Sequence, residues 1–196
     1  MTLLLTLASA GASAQTATLA EGEVLRGHFV QERHLQGFAQ PVRSEGSFVL
    51  VPGRGLIWRA EKPFPVVTVV TPAGLVQSVG GTETTRLPAS RLPFLTRLYH
   101  MMGGAMAGDW RALEGEFTVA REPAGKATRI TLTPRRADDP TATAIKSIAA
   151  TVEHYVETVD IVRPGGDFDH LTFSAQVLSS GPPSAAESAA LGSSAP

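Results

Sequence analysis

The sequence contains no cysteine. It therefore offers no disulfide framework, no thiolate nucleophile, no thiolate metal ligand and no cysteine for lipid attachment, and the chain must fold on its apolar core. Charge is also sparse. Charged residues make up 18% of the chain, the net charge is -1 and the Lys and Arg residues are scattered, so no attraction to nucleic acid or anionic lipid is implied. The few large aromatics, among them Trp58, Trp110 and Tyr155, have no basic residues interleaved with them, which argues against a nucleic-acid surface. No apolar run approaches the ~20 residues needed to span a bilayer. Gly-x-Ser-x-Gly, phosphate-binding and dinucleotide loops and His-Glu-x-x-His are all missing.

The polar residues that remain do not assemble a site. His28 and His34 fall on one face of a strand with Glu32 between them, and read as solvent-facing side chains rather than metal ligands. Asp138-Asp139 lies among turn formers. Asp169 and His170 are adjacent on a strand and so point to opposite faces. A thioesterase would need a carboxylate or histidine facing the core, and Glu61, Asp109 and Asp138 are poor candidates by face and context. No enzyme, cofactor or metal is expected.

What is present is a short export-like leader, many strands and one helix. Leu3, Leu4, Leu5, Leu7 and Ala8 form an apolar stretch, and Ala12-Ser13-Ala14 supplies a cleavage pattern, so residues 1–14 read as a signal peptide. The basic segment that normally precedes such a stretch is missing, which implies a clipped signal or a start further upstream. Residues 15–178 read as one domain. Residues 179–196 are Ser, Ala, Gly and Pro with one charge, Glu187, and read as a disordered tail.

Within the domain, 25–35 alternates, with Phe29, Gln31 and Arg33 on one face and His28, Val30 and Glu32 on the other. Strands follow over 46–51 and 56–61 around the turn Pro52-Gly53-Arg54-Gly55, then over 66–71 and 75–79. From Ala89 to Met106 the period becomes helical, with Leu92, Leu95, Leu98, Tyr99, Met102 and Met106 on a stripe and Ser90 as the N-cap. Strands resume over 115–121, 126–133, 147–154, 155–163 and 168–177, the last two as a hairpin around Pro164-Gly165-Gly166-Asp167. The expected fold is mainly β (α+β): a curved, incomplete antiparallel barrel with a helical lid, because one face of so long a sheet must be buried. Phe29, Phe48, Leu50, Leu56, Trp58, Val67 and Val69 are candidates to line that face. Leu95, Leu98 and Met102 are candidates to close over it.

The order of several motifs resembles the outer-membrane lipoprotein carriers called LolA. These are Phe29-Val30-Gln31, then Gly46-Ser47-Phe48, then a Pro-Gly-Arg turn leading to Trp58, with Ile130-Thr131-Leu132-Thr133-Pro134 and His170-Leu171-Thr172-Phe173 near the end. The resemblance implies a LolA/LolB-like fold and an apolar cavity that receives acyl chains. It also implies a periplasmic setting, cargo in the form of an acylated lipoprotein or lipid, a membrane donor complex, an outer-membrane acceptor and a monomeric carrier. Two departures accompany it. Only 15–23 is left for the family's first helix, and Val51 precedes Pro52 where the family has a basic residue. Arg54, two residues beyond the proline, is the candidate for that cargo-transfer role. The departures suggest a divergent carrier. The alternative is a lipid-sensing or protein-interaction module on the same scaffold, without transport.

Overall fold

A computed structural model of the chain describes residues 19–91, 111–136 and 144–192. The described residues form eleven strands: β1 (Glu23–His34), β2 (Val42–Val51), β3 (Gly55–Lys62), β4 (Val66–Thr71), β5 (Gly74–Val79), β6 (Thr82–Pro88), β7 (Phe117–Ala124), β8 (Ala127–Pro134), β9 (Ser147–Val152), β10 (Val156–Val162) and β11 (Phe168–Ser180). A short helix α1 (Arg111–Glu114) precedes β7, and α2 (Ala185–Gly192) follows β11. All eleven strands belong to one curved open sheet in the order β6-β5-β4-β3-β2-β1-β11-β10-β9-β8-β7. Every neighbouring pair is antiparallel.

The sheet is two meanders stitched together by β1 and β11. Each meander is a run of short β-branched or alternating segments that follow one another in the chain, several of them joined by turns that carry glycine, so its pairing is local. The β1–β11 pair joins segments about as far apart as the chain allows. The two sheet edges, β6 and β7, are blunted by charge and proline: Glu83 and Arg86 on one, Arg121, Glu122 and Pro123 on the other.

Residues opposite each other in an antiparallel ladder share a face. The register therefore sorts the core. On the inner face, Leu25 pairs Leu50, which pairs Leu56, and Phe48 pairs Trp58. Further along the same face, Leu171 pairs Val159, Val159 pairs Ala150, and Ala150 pairs Ile130. Two buried clusters result, one around Leu25, Phe48, Leu50 and Leu56, the other around Phe117, Ile130, Leu132 and Ile148. The outer face carries a third, smaller cluster of Val24, Val49, Val51, Ile57 and Val69, capped by Leu191 of α2.

Three features differ from the sequence reading. Strand β6 was not anticipated: Thr82–Pro88 is polar and mostly exposed, and it becomes a strand because β5 offers it a ladder. Val67 and Val69 do not share a face with Trp58. Val69 pairs Ile57 and Val67 pairs Arg59, while Trp58 faces Thr68, so both valines lie on the outer face. Strand parity is decided by how many residues the Pro63–Pro65 turn consumes, and side chains reverse with every single step.

The third difference is the tail. Strand β11 continues to Ser180, and 185–192 is helical with Leu191 buried. Ser184-Ala185-Ala186-Glu187 is a capping box: the Ser184 hydroxyl accepts from the Glu187 amide at 3.2 Å, and the Glu187 carboxylate accepts from the Ser184 amide at 2.7 Å. Glu187 also takes a two-pronged contact from Arg26 on β1, at 2.8 and 2.7 Å. Gly55 leaves room for the helix, because a Cβ there would stand 2.7 Å from Leu191 Cδ2 and 2.6 Å from the Val70 carbonyl oxygen.

The hydrogen bond from Arg26 holds the Glu187 carboxyl well down, at about 2, with the Ser184 bonds assisting against the opposing effect of burial. A carboxylate whose folded value is depressed stabilises the fold above its unfolded value, near 4.5, and loses that contribution as pH falls toward 2. Glu187→Gln is therefore expected to lower stability by about 1–2 kcal/mol at pH 7, a figure discounted for solvent screening because Arg26 is partly exposed. Melting curves of both proteins check this: the gap should be full at pH 7 and close as the pH drops below 4.5.

Candidate functional site

The inner face is at its most aromatic where β11, β1, β2 and β3 lie side by side. Phe29 and Trp58 stack with ring centroids 3.7 Å apart and an interplanar angle of 25°. Phe173 meets Phe48 edge-on at 5.5 Å and Trp58 edge-on at 6.2 Å. Phe29 sits on β1 and Trp58 on β3, with β2 between them. Two rings can touch across an intervening strand only if that strand presents no side chain there. The residue of β2 opposite Phe29 is Gly46. Gly46 is thus what allows the aromatic stack to form, which gives the Gly46-Ser47-Phe48 motif a physical meaning. The other small residue of the floor, Gly27, faces the Phe48 ring, which a Cβ would meet at 2.7 Å.

Phe29 is buried and Phe48 nearly so, whereas Trp58 and Phe173 keep part of their surface accessible. Leu50 and Leu56 extend the apolar surface toward the β2–β3 turn, where Leu19, Val70, Leu178 and Tyr155 join it. Of the candidate lining residues, the fold therefore brings together Phe29, Phe48, Leu50, Leu56 and Trp58, and separates Val67 and Val69 from them. Leu95, Leu98 and Met102, with nearly all of the expected helix, lie outside the described residues. Within it only Ala89–Arg91 is described, as a single 3₁₀ turn. The segment that carries them joins β6 to β7, the two edges of the sheet. Arg54 lies exposed in the β2–β3 turn.

The opposite end of the inner face is polar. Asp169 is buried there and accepts from Arg33 at 2.8 Å, from Gln31 at 3.1 Å and from Arg163. Burial alone would raise its pKa, but the hydrogen bonds from Arg33 and Arg163, with Gln31 added, outweigh that and leave the carboxyl below its usual range. The group ties β1, β11 and the β10–β11 turn together. On the outer face His170 Nδ1 lies 2.6 Å from Asp160, so Asp169 and His170 do point opposite ways. Loops at this same end expose Phe38 and Phe64, at 70% and 71%. Among the described residues, no three His, Asp or Glu gather as a metal would require.

Neither a protein-family model nor a curated protein matches the sequence. In structure the chain is similar to a LolA superfamily protein from Nitrosomonas europaea, at 8% identity and a TM-score of 0.39, covering 85% of this chain and 89% of that one. It is similar to LprF from Mycobacterium bovis, at 11% identity and a TM-score of 0.39, covering 82% and 88%. It is also similar to a Vibrio parahaemolyticus domain described as an outer membrane lipoprotein-sorting protein, at 7% identity and a TM-score of 0.40, covering 89% and 93%. With scores of this size, the architecture rests on this chain's own strand pairing, and the reading of the site on its own residues.

Proposed function

We propose that the protein is a carrier of acyl chains, which it accommodates on the inner face of the sheet and passes between membranes in the periplasm. The observation that carries this reading is the inner face itself. It is apolar from Phe117 and Leu132 to Leu25 and Leu56, and two of the four rings at its centre, Trp58 and Phe173, stay partly accessible. An acyl chain needs such a surface and little else. Each methylene moved out of water contributes about 0.8 kcal/mol, so a chain burying roughly ten methylenes gains about 8 kcal/mol before the costs of association. The helical apolar pattern of Leu95, Leu98 and Met102, on the segment that links the two sheet edges, supports their role as the cover.

In this reading transfer is an equilibrium. Chains leave a donor at one membrane, occupy the face, and move to an acceptor with higher affinity. Lipoproteins or other acylated lipids are the cargo, a membrane donor complex and an outer-membrane acceptor are the partners, and the carrier works as a monomer. Arg54, in the turn beside the Leu50–Leu56 end of the face, is the candidate basic residue for cargo transfer. Residues 1–14 would serve as the export signal.

The test is to purify the exported protein without detergent, extract it with organic solvent and identify what comes off by mass spectrometry. A stoichiometric acylated species is expected. An empty protein that also fails to bind a fluorescent fatty-acid probe would end the carrier reading. The exposed rings of Phe38 and Phe64 favour the second reading, a module that engages a protein partner through that end of the sheet. It predicts a stable complex that Phe38→Ser and Phe64→Ser together abolish, with lipid transfer slow or absent.

A further inference from the structure

Strand β11 carries one residue more than β1 across from it. His28 pairs Ser174 and Arg26 pairs Val177, so two steps on β1 are matched by three on β11. The surplus is taken up at Ala175, which adopts φ of 49°, the left-handed region that a side chain enters only under strain. The bulge resets the alternation. Strict period two from Phe173 would aim Ala175 and Val177 at the core and Gln176 at water. Instead Val177 is left 61% exposed on the outer face, and Gln176 turns inward.

Gln176 enters the aromatic cluster beside Gly27 and Phe48. A Cβ on Gly27 would stand 3.1 Å from Gln176 Cγ and 2.7 Å from the Phe48 ring. The Gln176 Nε2 donates to the Val156 carbonyl at 2.7 Å. Because a carbonyl only accepts, that bond settles which end of the amide is which. The oxygen, Oε1, is then buried with no hydrogen-bond partner, the one such side-chain atom among the described residues. Burying an unpaired acceptor in an apolar cluster is unfavourable, and strain in the backbone that aims it there adds to the cost.

We infer that Gln176 Oε1 is the acceptor for a hydrogen-bond donor carried by the bound acyl chain, so that the face selects chains bearing a hydroxyl or amide N–H near the head. This rests on the acyl-carrier reading and narrows its substrate class. A plain alkyl chain leaves Oε1 unpaired when it covers the cluster, whereas a donor-bearing chain satisfies it. Two sources carry such a donor: a hydroxylated acyl chain and an amide-linked one.

The test is displacement of a fluorescent fatty-acid probe from the full-length exported protein by three ligands of one chain length: tetradecanoate, 3-hydroxytetradecanoate and N-tetradecanoylglycine. At least one donor-bearing ligand is expected to bind about five- to tenfold tighter than tetradecanoate, the equilibrium worth of one neutral hydrogen bond. Whichever is preferred identifies the source. In Gln176→Met, which keeps the length and removes the acceptor, the preference should shrink to about twofold or less. Equal binding of all three by the wild type, or a preference that survives the substitution, overturns the inference and leaves the carrier reading intact. No binding of any of the three overturns both. The wild-type comparison decides the matter by itself should Gln176→Met fail to fold.

Discussion

Gly46→Ala is expected to cost at least about 3 kcal/mol, enough to lower the melting temperature by roughly 6–12 °C in a domain of this size. A Cβ at this position would lie 1.9 Å from the Arg59 carbonyl oxygen and 2.9 Å from its carbon. Both are backbone atoms held in the β2–β3 ladder, which is irregular at this point: Glu45 pairs Lys62 while Gly46 pairs Ala60. A flexible side chain swings aside for an added methyl; a paired carbonyl cannot do so without giving up its register. The cost is therefore a distortion of the ladder itself, at the point over which Phe29 and Trp58 meet. Gly53→Ala is the control. Gly53 has φ of 68° in the β2–β3 turn and open space around it, so only the left-handed strain is felt, about 1–2 kcal/mol. Urea midpoints of the two variants, read with an unchanged slope, check the difference.

Phe29→Ala is expected to cost about 3–5 kcal/mol. The ring is 1% exposed, lies at the junction of β1 with β2 and β11, and stacks on Trp58. Its removal loses the transfer energy of a phenyl group, leaves a cavity between paired strands that cannot collapse, and ends a stack worth about 0.5–1.5 kcal/mol beyond the area it buries. Phe38→Ala removes the same atoms from a ring that is 70% exposed, and should change stability by no more than about 0.5 kcal/mol. Equal losses for Phe29 and Phe38 in denaturant titrations would contradict the packing described above.

The alternation along β1 was legible in the sequence, and the structure keeps its sides: Gln31 and Arg33 turn inward to Asp169 with Phe29 on their face, while His28, Val30 and Glu32 pair with residues of the other. The turn at 52–54 and the hairpin around 164–167 were legible as well, because proline and glycine mark them locally. Of the candidate lining residues, Phe29, Phe48, Leu50, Leu56 and Trp58 share the inner face, and alternation within single strands places each of them there. Val67 and Val69 were misplaced because parity between strands is not a property of either strand. Strand β6 was missed because an exposed edge strand has no apolar period to read. The helix α2 carries one local signal, the capping box Ser184-Ala185-Ala186-Glu187, set in a composition that by itself argues for disorder. What holds it is Arg26, about 160 residues away in the chain, together with the single buried Leu191.

The sequence by itself determined most of the strands, where most of them turn, and that the sheet has an apolar face to bury. Those are local properties: side-chain period and turn residues. Only the tertiary structure decided which strands are neighbours, which face each side chain joins, and that a bulge at Ala175 carries Gln176 into the apolar cluster with an acceptor unpaired. One residue of offset between paired strands reverses every side chain beyond it, and that offset exists only once β1 and β11, from opposite ends of the domain, have come together.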